Sequence, residues 1–488
     1  MGAPLIGVWL LANLLAGVLQ SVATRRWNDP RLARGVALWY GYHLYPGREA
    51  REPIIGTMHG PVPHLLYSCL AFLKDPTLLL IAGCTLSCVL YFGAVLWLHL
   101  RTGPSVAGIY GFFACSALLL VSAGGRFSAL RVHVDALALC CAMLAAGMLA
   151  RSSPPRPRAI VASALLVMLA VASKQTMAPL AIALPCFVWI VDGRRAFARY
   201  VAVQIAVSAA IFAAMLALFR PPRDLLFNTF TLPLGQPRTA AIASRMLQGL
   251  VQLRSELAVA AAPLILLAAL VALDSGNIRQ KLAKHRWLVF LWMAALQLPI
   301  ELRAWTTDGG AENHLGVVAL FVALATTLGL VGLWTTDTHE KQAWIGIVAR
   351  MLLVGMLVAL LTLPGDIVRD LRMVRTSPTQ VAYNYERRYP RRVYFPLNPL
   401  AVLLAEGRLT HLDDALFGRE WAGFPVSQEQ LAAGLPAGYE LVAYPPDQTP
   451  HAAILKSLVQ DKPLVEVPEL KGWRVYRVRP PVTQPSAR

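Results

Sequence analysis

Charged residues are scarce in this chain of 488 residues: they make up 15% of it against 56% hydrophobic, and the mean hydropathy is +0.53. That balance excludes an ordinary soluble globular domain and a disordered chain, both of which carry more charge. Acid is scarcer than base, with 27 Asp and Glu against 45 Lys and Arg, for a net charge of +18. Cysteine is limited to Cys69, Cys84, Cys88, Cys115, Cys140, Cys141 and Cys186, all in or beside apolar runs and none with CxxC or metal-finger spacing. No disulfide framework or zinc module follows, and the bland reading is small core residues. No P-loop, GxGxxG, HExxH, GxSxG or EF-hand pattern stands in a fitting context. A nucleotide-driven pump and a membrane metalloprotease are therefore unsupported. The basic residues do not gather with aromatics in one module, so nucleic acid is not an expected partner.

What the chain has in place of charge is long apolar runs. A helix needs about 20 apolar residues to cross hydrocarbon. Candidate windows are 5–22, 76–99, 106–122, 130–149, 160–171, 177–191, 201–218, 257–273, 287–300, 315–334 and 343–363. A β-barrel would show alternation instead. The expected fold is thus an all-α polytopic membrane protein of about eleven transmembrane helices, with a small C-terminal α/β domain. The first window reads as a retained span, because no basic stretch precedes it and no cleavage site stands before Arg25.

Basic residues crowd the short turns 151–158, 194–199 and 279–286, which places those turns in the cytoplasm. Alternation then puts 24–60, 220–254 and 301–314 outside, with everything after Pro364. Six arginines of the first outer loop (Arg25, Arg26, Arg31, Arg34, Arg48, Arg51) run against the rule and call for another use. Two domains are expected, a membrane part at 1–364 and an extracytoplasmic part at 365–488 with a disordered tail. In the latter, "RRVYFPL", "ELVAYP" and "WRVYRV" have strand spacing, and "NPLAVLLAEGRL" reads as a capped helix closed by Gly407. "PRLARGVALWYGYHL" is amphipathic, with Leu32, Val36, Trp39 and Tyr40 on one face and Arg31 and Arg34 opposite, as in a helix at a membrane interface.

Five polar groupings interrupt the apolar background. Asp29, in "NDPRLARG", either caps the following helix or acts as a carboxylate base at the outer mouth. Glu49, Glu52, His59 and His64 flank a rigid Gly-Pro turn, where a histidine is more often structural than functional. Arg131, His133 and Asp135 open an apolar helix, and ionisable groups inside a span face a cavity or a partner. Lys174, in "SKQT", either snorkels to water or meets a phosphate as a point charge. In "WTTDGGAENHLGVV", capping explains one acid, but not Glu312, Asn313 and His314 together. A helix start carrying all three is a ready anion site.

In this order, "NDPRLARGVALWYGYHLY", "HGPVPHLL", "RVHVDALALCCAML", "SKQT" and "GGAENHL" resemble the C-type (GT-C) superfamily of integral-membrane glycosyltransferases. The nearest branches are those of family 39 and the protein O-mannosyltransferases, or the mannosyltransferases of family 87. The resemblance implies a bacterial inner-membrane enzyme. It would take a sugar from a polyprenyl phosphate on the outer leaflet and pass it to a lipid, glycan or protein. It also implies a catalytic acid in the first outer loop, often within an acidic pair, and Asp29 matches that position. Asn28 stands where the second acid would be, so that acid either is absent or comes from elsewhere, with Glu52 and Asp135 as the candidates. Lys174, Arg220, Arg223 and Arg238 are the expected phosphate ligands. His59, Gln175, Glu312, Asn313 and His314 are the expected substrate contacts. No cofactor is called for, and a divalent metal stays open. Two other classes remain: a secondary transporter, against which no repeated pair of broken helices is visible, and a non-catalytic envelope-assembly subunit.

Overall fold

The structure, a computed structural model, describes residues 2–102, 105–150, 155–307, 310–335, 363–436 and 438–479. Asp308, Gly309 and all but the last residue of the expected span 343–363 lie outside them. The first half of the chain forms α1 (Gly2–Thr24), α2 (Asn28–Trp39), α3 (Val62–Ser68), α4 (Pro76–Thr102), α5 (Ser105–Val121), α6 (Ala123–Leu130), α7 (Val134–Ala150) and α8 (Pro157–Ser173). There follow α9 (Leu180–Asp192), α10 (Arg194–Leu218), α11 (Pro222–Leu226), α12 (Leu232–Gly235), α13 (Ile242–Leu273), α14 (Ile278–Lys284), α15 (Leu288–Trp305) and α16 (Glu312–Thr335).

Among the described residues, seven helices are long and apolar enough to cross a membrane: α1, α4, the run Gln175–Asp192, α10, α13, α15 and α16. A further candidate is a broken span, with α5 and α6 meeting at 102°. The break has a local cause. Ser122 adopts extended backbone and its hydroxyl accepts the Gly125 N–H at 2.9 Å, so a new helix starts in a new direction. The segments α7 and α8 are shorter apolar helices.

The chain divides into two compact units. The first gathers Met1–Val18, Thr85–Ala214 and Arg238–Val368. Its buried centre is α16, which packs against α5, α6, α13 and α15. Close approach to α6 needs two glycines. A Cβ on Gly316 would lie 2.6 to 2.8 Å from the backbone of Gly124, and a Cβ on Gly124 would lie 2.5 Å from the Glu312 carbonyl. Backbone cannot swing aside as a side chain can, so Gly316→Ala is expected to cost about 1–3 kcal/mol by overpacking. An unchanged unfolding midpoint in detergent would refute that close contact. At one end of this unit Arg286 grips both Asp192 oxygens, at 2.6 and 2.7 Å, and donates to the Leu149 carbonyl at 2.6 Å. It ties the start of α15 to the ends of α7 and α9, a structural use for one of the basic turn residues.

The second unit gathers Leu19–Cys84, Met215–Pro237 and Arg369–Arg488, so the first loop and the C-terminal region share one compact body. The three expected strand stretches form β1 (Val393–Tyr394), β2 (Leu441–Tyr444) and β3 (Arg474–Arg477). β1 pairs with β2 in parallel, Val393 opposite Leu441, and β2 pairs with β3 antiparallel, Leu441 opposite Arg477. Val393, Phe395, Leu441, Ala443 and Val475 of this small sheet region pack with Tyr385, Ala401 and Val402 of neighbouring helices. The helix Pro399–Glu406 ends at Gly407, whose φ of 66° suits a residue without a Cβ.

The amphipathic reading of α2 is corrected. Leu32 and Val36 are buried as expected, but Trp39 is 68% exposed and Arg34 is buried. Arg34 donates to the Ile55 carbonyl at 2.9 Å and pairs with Asp414. Inside the unit, Asp414 and the Ile55 carbonyl supply the partners that water would give the guanidinium at an interface.

Candidate functional site

Unit 1 draws three breaks in its apolar helices into one polar cluster. Asp135 sits in the first turn of α7, fully buried. Lys174 follows the end of α8 in extended backbone, just before a short turn of 3-10 helix at Gln175–Met177. That interruption turns the lysine inward, and its Nζ lies 2.8 Å from Asp135 Oδ1. At 2% exposure Lys174 does not snorkel, which corrects that reading; the buried carboxylate draws it in. Three more groups saturate Asp135 Oδ2: Asn313 Nδ2 donates at 2.8 Å, Ser128 Oγ donates at 3.3 Å, and His133 Nδ1 lies 3.1 Å away.

A second chain of contacts crosses the same unit. Asn313 and His314 occupy the first turn of α16. His314 Nδ1 lies 2.9 Å from Glu301 Oε2. Glu301 is fully buried on α15, and its other oxygen accepts from Gln297 Nε2 at 2.7 Å. Gln297 also donates to the Thr176 carbonyl, next to Lys174. The imidazole is thereby oriented by a carboxylate, which is in turn held by an amide, the usual support for a proton-handling or anion-binding histidine.

Asp29 belongs to unit 2. It is 2% exposed, and its partners come from the C-terminal region. Oδ1 accepts the Leu400 N–H at 2.9 Å, and Oδ2 accepts Asn398 Nδ2 at 3.4 Å. Asn398 Nδ2 also reaches Thr379 Oγ1 at 3.4 Å. Asp29 therefore satisfies one open N–H, that of Leu400, at the start of the helix Pro399–Glu406. Burial pushes its carboxyl up to about 7, while the hydrogen bonds from Leu400, Thr379 and Asn398 pull it down and Asp414 pushes it further up. A carboxyl near neutrality has the basicity a general base needs.

The other expected residues are scattered. Glu52 and His59 are half-buried in unit 2, where the His59 carbonyl accepts from Tyr45 Oη at 2.8 Å. Arg220, Arg223 and Arg238 are exposed, with Arg223 3.6 Å from Asp224. Gln175 is half-buried beside Lys174, and Glu312 is exposed at the head of α16. Sequence reasoning missed Gln297, which it left inside an apolar span, and Glu301, which it placed in a loop by ending that span at 300. The usable signal was a Gln and a Glu four residues apart on one face of an apolar helix. Asn398 was also missed, and nothing local marks it. Among the described residues, no group of three or more His, Cys, Asp or Glu side chains could hold a metal ion.

The arrangement of helices in this chain recurs in solved structures. The chain is similar to ArnT from Cupriavidus metallidurans bound to undecaprenyl phosphate, with a TM-score of 0.55 and 13% identity over 98% of this chain and 99% of that one. The apo state of the same protein gives a TM-score of 0.51 and 12% identity, over 93% of this chain and 94% of that one. At such identities the likeness is one of fold. No family model matches the sequence, and no curated protein matches it.

Proposed function

We propose that this chain is a glycosyltransferase of the bacterial inner membrane. It would move a sugar from a polyprenyl-phosphate-linked donor to a lipid, glycan or protein acceptor at the outer face. The observation that carries this reading is the end-to-end likeness in fold to a protein solved with undecaprenyl phosphate bound. The residues add support one by one.

In the proposed reaction an acceptor hydroxyl attacks the anomeric carbon. Its proton passes to the Asp29 carboxylate, the C–O bond to phosphate breaks, and the electron pair leaves with the polyprenyl phosphate. The near-neutral Asp29 carboxyl suits the first part. The departing phosphate calls for cations, and Arg220, Arg223, Arg238 and Lys174 are assigned to it. Lys174 could take that role only by exchanging Asp135 for the phosphate, since the two are paired here. Glu52 and Asp135 are assigned as supporting acids, and His59, Gln175, Glu312, Asn313 and His314 as sugar or acceptor contacts. Residues 365–488 are assigned to the extracytoplasmic side.

The test is transfer of radiolabelled sugar from a panel of polyprenyl-phosphate donors to a membrane-extract acceptor by the purified, detergent-solubilised protein. Turnover is the expected result. No turnover with any donor, together with solute flux through liposomes carrying the protein, would replace the enzyme by a transporter.

A further inference from the structure

The helix Asp413–Trp421 carries Asp413, Phe417 and Trp421 four residues apart, so the three share one face. Asp413 is fully buried. Its carboxylate accepts the N–H groups of His451 and Ala452, each at 3.0 Å, and lies 3.0 Å from His451 Nδ1. The imidazole is thus fixed through Nδ1, and Nε2 makes no hydrogen bond among the described residues. Aromatic rings frame it. The Trp27 ring lies 5.5 Å from that of His451, Phe417 lies 6.1 Å from it, and Phe417 stacks on Trp421 at 5.0 Å. The Arg26 guanidinium lies 5.4 Å from the Trp27 ring centre. All five of these side chains are half-buried.

Capping of the turn at 451–452 explains the bonds from Asp413 to backbone. It does not require an imidazole with one nitrogen unused, nor two rings left partly open beside it with a third stacked on one of them. Half-open aromatics around a few oriented polar groups are the composition of a small-ligand site. The groups available select the ligand: an oriented imidazole for a hydroxyl and flat apolar faces for a C–H surface.

We propose that Trp27, Phe417, Trp421 and His451 form a saccharide-binding platform. The rings take the C–H face of a sugar, and His451 Nε2 accepts a hydrogen bond from one of its hydroxyls. The choice of a saccharide among flat polar ligands rests on the transferase reading; binding itself does not depend on turnover. A glycan acceptor and the donor's own sugar share this chemistry.

The experiment is saturation-transfer NMR on the full-length protein in detergent, with the methyl glycosides of glucose, mannose, galactose, arabinose and N-acetylglucosamine as probes. Saturation of aromatic protons is expected to reach the ring protons of at least one glycoside. Trp421→Ala and His451→Ala are expected to weaken that binding about tenfold, as loss of one ring or oriented-polar contact would. Trp421→Phe should restore most of it, which separates a lost contact from a lost fold. No transfer to any glycoside in the wild type overturns the platform, as do equal signals in wild type and both alanine variants. Where the signal is present, its displacement by a polyprenyl-phosphate sugar assigns the platform to the donor, and its persistence assigns it to the acceptor. A wild type that binds glycosides but shows no turnover with any polyprenyl-phosphate donor would sink the transferase and leave the platform standing.

Discussion

Asp135→Asn is expected to destabilise the protein by about 3–5 kcal/mol, the cost of removing one partner from a buried ion pair. The asparagine keeps the shape and still meets Asn313 and Ser128, but it leaves the Lys174 ammonium buried without its counter-ion at 2.8 Å. Lys174→Met should cost less. Asp135 then loses one partner of several, and His133 stays 3.1 Å away to answer its charge. The double variant Asp135→Asn, Lys174→Met should recover part of the larger loss, because a neutral pair of similar volume replaces two desolvated charges. Unfolding midpoints in detergent decide this, and single variants as stable as the wild type would show that the ion pair is not what holds the cluster. The double variant also separates two uses of Lys174. If it folds and still transfers sugar, Lys174 is a structural partner of Asp135, and the donor phosphate is held elsewhere.

Much of this arrangement was legible in the residues. The ten expected windows among the described residues each hold an apolar helix, because runs such as 315–334 offer hydrocarbon surface and little else, but only seven of these helices, or eight spans with the bent pair, are long enough to cross a membrane, against about eleven expected. The polar interruptions at Asp135, Lys174 and Asn313 stand out in the sequence, since each is expensive in an apolar setting and needs a partner, and each is buried with one. Which partner each would find was not legible. The pairing of Asp135 with Lys174, and of Glu301 with His314, depends on how α7, α8, α15 and α16 pack, and helix packing leaves no local trace in sequence. Glu301 was lost for a simpler reason: a charged residue at a span end reads as loop, although α15 continues to Trp305. In Arg34 the periodicity misled, because an arginine opposite an apolar stripe looks solvated until Asp414, 380 positions away, arrives beside it. Asp29 does not cap the helix that follows it, as its local sequence suggested, because α2 already starts at Asn28 without a side-chain cap; it meets the start of a helix far along the chain instead, and burial raises its basicity.

Asp29→Asn is expected to abolish transfer, with a loss of at least 10²-fold, the range for a positioned general base, while the fold is kept or strengthened. The reason lies in its surroundings. The asparagine carbonyl can still accept the Leu400 N–H, and the Asn398 amide, whose Oδ1 is buried without a hydrogen bond, can turn to accept the new NH₂. The sign of the pH dependence follows from the carboxyl being pushed up to about 7, above its ordinary 3.8, chiefly by burial. A base must be ionised to act, so activity should fall as pH drops below about 7. Stability moves the other way. A folded-state value above the unfolded one means that the protonated form stabilises the fold fully below about pH 4, and that this contribution is lost as pH rises through 7. Across that window the wild type gains activity while losing stability. Asp29→Asn, which mimics the neutral form at every pH, should flatten the stability profile between pH 4 and 8 and unfold later than the wild type at pH 8. Asn398→Ala removes a donor that favours the ionised form, so the acidic limb of its activity profile should move to higher pH with the maximal rate little changed. Full activity in Asp29→Asn would take the base away from this position and leave Asp29 with its capping role alone. A pH profile in Asn398→Ala that matched the wild type would show that the two side chains are not coupled in the working enzyme.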